Sequence, residues 1–362
     1  MAVPLVQPRV VLFMLKNIRT SLFVCLCVAM SVVLGLSIIF AIHIGAVDLT
    51  PEWIYQIMIN HLSGKEVYAV EWPAFADGIV WGMRLPKVLV ASCVGAGLSL
   101  VGIMMQAMTK NSMADPYLLG ISSGASCGAT AAILVGSLPV IGAVTVQAGA
   151  FVGAIVSSVL VFIMAGASGR VSSTKLILSG TAISSLFSAM SSLLIFMQNN
   201  DRKLSSVLFW MTGSFASAAW KDVLPVLVAL VICIAVMLLL NKALDALLLG
   251  EEIAITIGVD VPKMKILIII MSALVTGIMV SVSGTIGFVG LVVPHISRSL
   301  VGTTHRRMVP FAALLGAILM IWADAIARVV VAPSELPIGV VTAFIGAPFF
   351  LLLLRKSKYS FQ

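Results

Sequence analysis

Between Leu178 and Leu194 hydroxyl side chains recur every three to four positions, at Thr181, Ser184, Ser185, Ser188, Ser191 and Ser192. On a helix that spacing gathers them into a stripe. Within an apolar segment such a stripe either hydrogen-bonds to a neighbouring helix or walls a wet pathway. A second group is cationic. Arg84 and Lys87 bracket Leu85-Pro86, and Arg328 stands four residues after Asp324, a spacing at which the two side chains can pair. Bond-making chemistry has no such pattern: His43, His61, His295 and His305 lack metal-ligand spacing. Lys65 follows Gly64 without the earlier glycine or the Ser/Thr of a phosphate-binding loop. No catalytic residue and no metal ligand is assigned.

These side chains must be held by membrane helices. The chain is 60% hydrophobic and only 10% charged, with a mean hydropathy of +1.16, against roughly 25% charged residues in a soluble domain. A helix crossing a bilayer needs about 20 mostly apolar residues. Apolar runs cut at their polar breaks predict ten spans, near 21–45, 86–108, 114–135, 143–168, 175–197, 223–240, 264–283, 287–302, 309–331 and 338–354. The segment 21–45 is longer than the ~7–15 residues of a signal-peptide core, so it reads as a retained first helix. Residues 1–20 then form a cytoplasmic N-terminal segment, 21–355 one transmembrane domain, and 356–362 a cytoplasmic tail.

The net charge of +8 needs no nucleic acid to explain it. Most of the Lys and Arg fall in the segments that this topology makes cytoplasmic, among them Arg9, Lys16, Arg19, Lys110, Arg170, Lys175, Lys242, Arg306, Arg307 and Arg355. That is the positive-inside pattern, with both termini in the cytoplasm. Cys25, Cys27, Cys93, Cys127 and Cys233 all sit in apolar runs and read as packing residues. Asp324 and Arg328 lie toward the outer end of their span, and the bilayer middle is nearly free of ionisable groups, unlike the coupling sites of ion-driven carriers. Energy is therefore expected from outside this chain.

Two loops carry structure of their own. The outer segment 46–82 mixes carboxylates with Trp53, Tyr55, Tyr68, Trp72 and Trp81, which predicts a short interfacial helix near Pro51 to His61. The inner segment 241–265, NKALDALLLGEEIAITIGVDVPKMK, is amphipathic and predicts short helices broken at Gly250 and Gly258. Gly120, Gly124 and Gly128, repeated by Gly149 and Gly153, predict close helix packing. Ten helices divide into two inverted halves of five.

Four separated motifs carry a resemblance: Arg84-Leu85-Pro86-Lys87; Asn111-Ser112-Met113-Ala114-Asp115-Pro116 with Leu119-Gly120-Ile121-Ser122-Ser123-Gly124; Gly287-Phe288-Val289-Gly290-Leu291-Val292-Val293-Pro294-His295; and Glu335-Leu336-Pro337-Ile338-Gly339 leading to Gly346-Ala347-Pro348-Phe349-Phe350. In these the chain resembles the FecCD-type permease subunit of the type II ABC importers for iron-siderophore, haem and cobalamin. The resemblance implies ten helices per subunit and a homodimeric or heterodimeric permease. It also implies two cytoplasmic ATPase subunits that hold ATP and Mg, no cofactor in this chain, and an extracytoplasmic substrate-binding protein, all at a bacterial cytoplasmic membrane. It assigns Arg84, Lys87 and Arg328 to docking of the binding protein. Leu248, Leu249, Gly250, Glu251, Ala254, Ile257 and Gly258 are assigned to ATPase coupling, and the Thr181 to Ser192 stripe to the pathway at the dimer interface. Uptake of an iron-siderophore chelate is the expected function. Haem or cobalamin on the same machinery is the alternative, and an ion-coupled secondary transporter is the rival from another class.

Overall fold

A computed structural model of the chain describes residues 20–135, 145–166 and 173–356. The segment 1–20 apart from Thr20, and the tail 356–362 apart from Lys356, lie outside the described residues. All regular structure among the described residues is helical. In chain order the α-helices of six or more described residues are α1 (Thr20–His43), α2 (Pro51–Ser63), α3 (Leu85–Thr109), α4 (Ile121–Val135), α5 (Val146–Gly166), α6 (Ser173–Phe196), α7 (Asp201–Met211), α8 (Trp220–Leu239), α9 (Asn241–Leu249), α10 (Glu251–Thr256), α11 (Val261–Ser283), α12 (Val289–Val301), α13 (His305–Val329) and α14 (Ile338–Lys356). Seven helices, α3 with its lead-in among them, are long and apolar enough to cross a membrane, and α4, α12 and α14 supply shorter apolar helices. Together they match the ten expected spans.

Helix α3 is the axis of the bundle. Its residues from Val90 to Met108 are almost all buried, and it packs on α8, α11, α12 and α13. Glycine makes the approach possible: a Cβ at Gly95 would lie 2.2 Å from the carbonyl oxygen of Gly316, and one at Gly102 would lie 2.1 Å from that of Gly290. Backbones can meet this closely only where both helices present small residues. The expected glycine stripe packs in the same way, with Gly124 against Gly153 and Gly128 against Gly149 of α5. Gly120 belongs to the turn before α4, where its φ of +69° suits a residue without a Cβ.

Helix α3 is preceded by a π-helical stretch, Gly78–Arg84. Pro86 has no N–H to give to the carbonyl four residues back, and the Leu85 N–H bonds instead to Val80, five residues back. The wider turn aims Arg84 at the end of α1.

The two halves run in opposite directions with the same order of parts. A first span is followed by a peripheral helix, α2 after α1, and α9 with α10 after α8. A long buried helix comes next, α3 in one half and α11 in the other, and then a break in the α-helix and a short helix, α4 or α12. Helix α3 starts at Arg84 and ends near Gly250, since a Cβ there would lie 3.7 Å from Lys110 Nζ. Helix α11 starts at that same end. The pairing of α3 with α13 is mirrored by that of α11 with α5, as an inverted repeat requires.

Candidate functional site

The described residues place the expected functional side chains in three regions along the bundle. At the end where α3 begins, Arg84 donates from Nη1 to the carbonyls of Ile42 (2.9 Å) and His43 (3.1 Å), and from Nη2 to that of Val47. Arg328 donates from Nη1 to Ala41 (3.1 Å) and Ile44 (2.8 Å). Two guanidinium groups thus satisfy the last carbonyls of α1, which a helix cannot pair internally, and their charge complements the negative end of its dipole. Arg328 also pairs with Asp324 at 2.9 Å, as their spacing predicts. Lys87 reaches both oxygens of Glu335 at 2.8 and 2.9 Å.

The three docking candidates are therefore brought together, but not as a free patch. Arg84, Lys87 and Arg328 are 6%, 4% and 4% exposed, and each is engaged within the chain. Burial follows from their partners: a buried cation is tolerable only when paired and hydrogen-bonded. The partners Glu335, Asp324 and the α1 carbonyls are distant in sequence from Arg84 and Lys87, so spacing alone gave only the Asp324 pair.

Both halves break between a long helix and a short one. Tyr117, in the single 3₁₀ turn Pro116–Leu119, joins the two breaks: its hydroxyl donates to Ile286 O at 2.8 Å and accepts from Ile286 N at 2.9 Å. The break 284–288 holds Phe288 at φ +70°, a left-handed conformation that costs a non-glycine residue free energy of order 1–3 kcal/mol. Thr285 Oγ1 donates to Met211 O, and Ser214 N donates to Ser283 O at 2.7 Å. Beside this loop a cavity of about 600 Å³ is lined by Met211, Thr212, Thr285, Phe288, Phe344 and Ala347, among others. It is largely apolar and lies against α14.

Along α6 the hydroxyl set divides. Thr181, Ser185, Ser188 and Ser192 form an exposed stripe at i, i+4, i+7 and i+11. Ser191 is a correction: it is buried and donates to Phe187 O at 2.9 Å. Ser184 is half-buried near Gly120, whose added Cβ would sit 3.5 Å from its Oγ. Both pack inside the subunit, because the stripe's three-to-four spacing also winds onto the face that meets α4 and α5. Thr181 and Ser185 donate to the carbonyls of Ile177 and Thr181, which satisfies their protons within the helix.

At the far end α9 and α10 form the expected broken pair, with Gly250 at φ +136° and Gly258 at φ +89°. Leu249, Ile253, Ile255 and Ile257 are exposed. Ala254 is a second correction, since it is fully buried and anchors α10 inward. Leu248 packs partly against the core. Ile253 and Ile255 escaped the sequence reading, although their placement on a polar, amphipathic segment was the available signal. Asp260 caps α11 by accepting from Lys263 N at 3.2 Å, and its hydrogen bonds to Lys263 hold its carboxyl below the usual range. Glu251 Oε1 accepts from Lys265 Nζ at 2.8 Å, and Asp245 Oδ1 lies 2.6 Å from His305 Nδ1.

Ten apolar helices in two inverted halves, one of them carrying an outward hydroxyl stripe, define a multi-pass membrane protein. The chain belongs to the FecCD transport family, whose model matches residues 9–356. It is 41% identical over 286 residues to a cobalamin import system permease of Halobacterium salinarum, covering 79% of this chain and 76% of that one. To a Fe(3+)-citrate import system permease of Bacillus subtilis it is 39% identical over 280 residues, 77% and 82% of the two chains. A solved metal-chelate type ABC transporter in an inward-facing conformation superposes with a TM-score of 0.77 at 32% identity, over 91% of this chain and 99% of that one. The chain is accordingly a permease subunit of an ABC importer and not an enzyme, with ATP hydrolysis on a separate subunit.

Proposed function

We propose that this permease works as a pair of identical subunits in a bacterial cytoplasmic membrane and carries a ferric siderophore chelate inward by alternating access. The observation that carries the reading is the exposed stripe Thr181, Ser185, Ser188 and Ser192 on α6. Thr181 and Ser185 donate within the helix, and the outward hydroxyl oxygens of the stripe remain able to accept from a second subunit or from water between the subunits. A small, neutral, hydroxylated wall suits a bulky chelate that must pass without being held. The relative named for Fe(3+)-citrate supports iron as the cargo metal, and the metal-chelate type structure supports a chelated cargo.

In this reading the α9–α10 face is cytoplasmic and meets an ATPase subunit that holds Mg-ATP. The face built around Arg84, Lys87 and Arg328 is extracytoplasmic and meets the binding protein. Glu335 is the solvent-reaching member of that cluster, its side chain 33% exposed. An acidic residue of a binding protein would therefore reach Lys87 beside or in place of Glu335. Both chain termini then lie in the cytoplasm. A second reading, cobalamin, rests on the 41% identity to the Halobacterium permease.

The test is uptake by proteoliposomes carrying the permease with its ATPase and binding protein. Labelled ferric siderophore, haem, cobalamin and molybdate are offered with ATP trapped inside, and separately with an ion gradient and no ATP. ATP-dependent accumulation of the ferric chelate is expected. Gradient-driven uptake without ATP would overturn the importer mechanism, and ATP-dependent uptake of cobalamin alone would overturn the cargo.

A further inference from the structure

The cytoplasmic-side segment α9–α10 is tied to the spanning helices by two charged contacts whose partners are deeply buried. Lys265, 4% exposed, sits in the second turn of α11 and holds Glu251, the first residue of α10. His305, 1% exposed, is the first residue of α13. Its backbone N–H donates to Asp245 Oδ1 at 2.9 Å, so a carboxylate on α9 caps α13 from outside. Gly250, between Asp245 and Glu251, adopts φ +136° and permits α9 and α10 to turn relative to each other. Each short helix thus has its own tie to its own long helix.

Those two long helices end at the two other regions of the site. Helix α11 spans about 35 Å at 1.5 Å per residue, ends on Ser283, which accepts from Ser214, and leads into the break 284–288, with its strained Phe288 and its bonds to Met211 and Tyr117. Helix α13 ends just past Arg328, which pairs with Asp324 and donates to the carbonyls of Ala41 and Ile44 at the end of α1. A rigid helix moved at one end moves at the other, so a displacement of α9–α10 reaches both the break 284–288 and the Arg328 end.

We propose that Glu251–Lys265 and Asp245–His305 are the positioning contacts that convert movement of the α9–α10 segment into movement of α11 and α13. Glu251 and Lys265 act on the pathway break, and Asp245 and His305 act on the Arg328 end. The inference rests on the reading of α9–α10 as the ATPase-facing segment. Neither pair touches cargo or nucleotide. Their removal leaves the exposed Leu249, Ile253 and Ile257 surface in place.

The experiment uses the permease–ATPase complex in nanodiscs, on a cysteine-free background with one cysteine at Ser188. A trimethylammonium methanethiosulfonate reagent reports the rate of Ser188Cys modification without nucleotide and with ATP plus vanadate. The unaltered contacts should give different rates in the two states. In Glu251→Gln, in Lys265→Met and in the two together, the ratio should fall to about one, because a trapped nucleotide with no differential hold on α11 shifts no equilibrium. ATP hydrolysis and co-purification of the ATPase should persist in Lys265→Met, whose site is 4% exposed and lies beneath the α9–α10 surface. The charge swap Glu251→Lys with Lys265→Glu should restore the difference. Asp245→Ala should likewise bring to about one the nucleotide-dependent ratio for a cysteine at the exposed Ser334, beyond the Arg328 end, and a ratio that survives it would overturn the role of the second contact.

A nucleotide-dependent ratio that survives Lys265→Met, or a swap no better than the single changes, would overturn the proposal. ATPase that fails to co-purify even with the unsubstituted permease would overturn the reading of α9–α10 itself. Loss of co-purification in Lys265→Met would make Lys265 an assembly contact, and that too would overturn the proposal.

Discussion

Arg328→Met should destabilise the subunit more than the double change Asp324→Leu with Arg328→Met. The side chains of Asp324 and Arg328 are 5% and 4% exposed and 2.9 Å apart. Removing only the guanidinium leaves a buried carboxylate without its closest cation, and breaking a buried pair from one side costs about 3–5 kcal/mol. It also orphans the carbonyls of Ala41 and Ile44, each a further ~1–3 kcal/mol if water does not reach it. The double change removes the stranded carboxylate and keeps only the carbonyl penalty, so it should recover roughly 3 kcal/mol of the loss. Thermal unfolding of the purified permease, followed by tryptophan fluorescence at fixed detergent and salt, ranks the three proteins. The expected order of midpoints is parent, double, single. A double change at or below the single would refute the argument, because the pair would then contribute net stability beyond the stranded charge. Arg84→Met, which orphans Ile42, His43 and Val47 but no carboxylate in direct contact, should fall between them.

Ile253→Ser with Ile257→Ser removes two side chains that are 47% and 62% exposed. At about 1.5–3 kcal/mol for a fully buried Ile, losing these half-buriable faces should weaken ATPase association by roughly 2 kcal/mol, or ~30-fold, measured by surface-immobilised titration; unchanged affinity would remove these residues from the contact. Cysteines at Ser185 and Ser188 should react with a membrane-impermeant thiol reagent in intact proteoliposomes, whereas one at the exposed but apolar Val156 of α5 should not. Equal labelling at all three positions would deny that the stripe is wet. Gly102→Val puts side-chain atoms where a Cβ already lies 2.1 Å from the Gly290 carbonyl oxygen. It should separate α3 from α12 and cost at least the ~1–3 kcal/mol of ordinary overpacking, seen as loss of the monodisperse peak in size-exclusion chromatography.

How much of this could be read from the chain depended on the range of the interaction. Periodic and local signals transferred well. The apolar runs located α1, α3, α11 and α13, Thr50 and Pro51 open α2 where the aromatic loop suggested, and the glycine spacing placed α4 on α5. The hydroxyl stripe on α6 was legible as a stripe, but its division was not. Ser188 and Ser191 differ only in which neighbour lies across from them, and that neighbour is set by α4 and α5, not by the spacing of serines. Ala254 was misjudged for the same reason. An alanine in an acidic, broken segment gives no sign of which way it faces until α11 is packed beneath it. Non-local charge pairs were the least legible: Lys87 and Glu335 are 248 positions apart, and both had separate local explanations.

That last pair changes what the outer cations mean. Read along the chain, Arg84, Lys87 and Arg328 form a positive patch offered to an acidic partner. In three dimensions each already holds an oxygen of this subunit, and the summed charge of the cluster is brought down by Asp324 and Glu335. A patch neutralised in this way steers a distant acidic protein weakly, because steering follows the net field and not the number of cations. Whatever docks there must gain affinity from short-range exchange of partners, which is fastest at Glu335, the member that water reaches. Arg84 and Arg328 are held instead by backbone carbonyls that a docking protein could not replace without freeing the end of α1. Two of the three cations therefore serve the fold first, and Lys87 is the one whose partner can change.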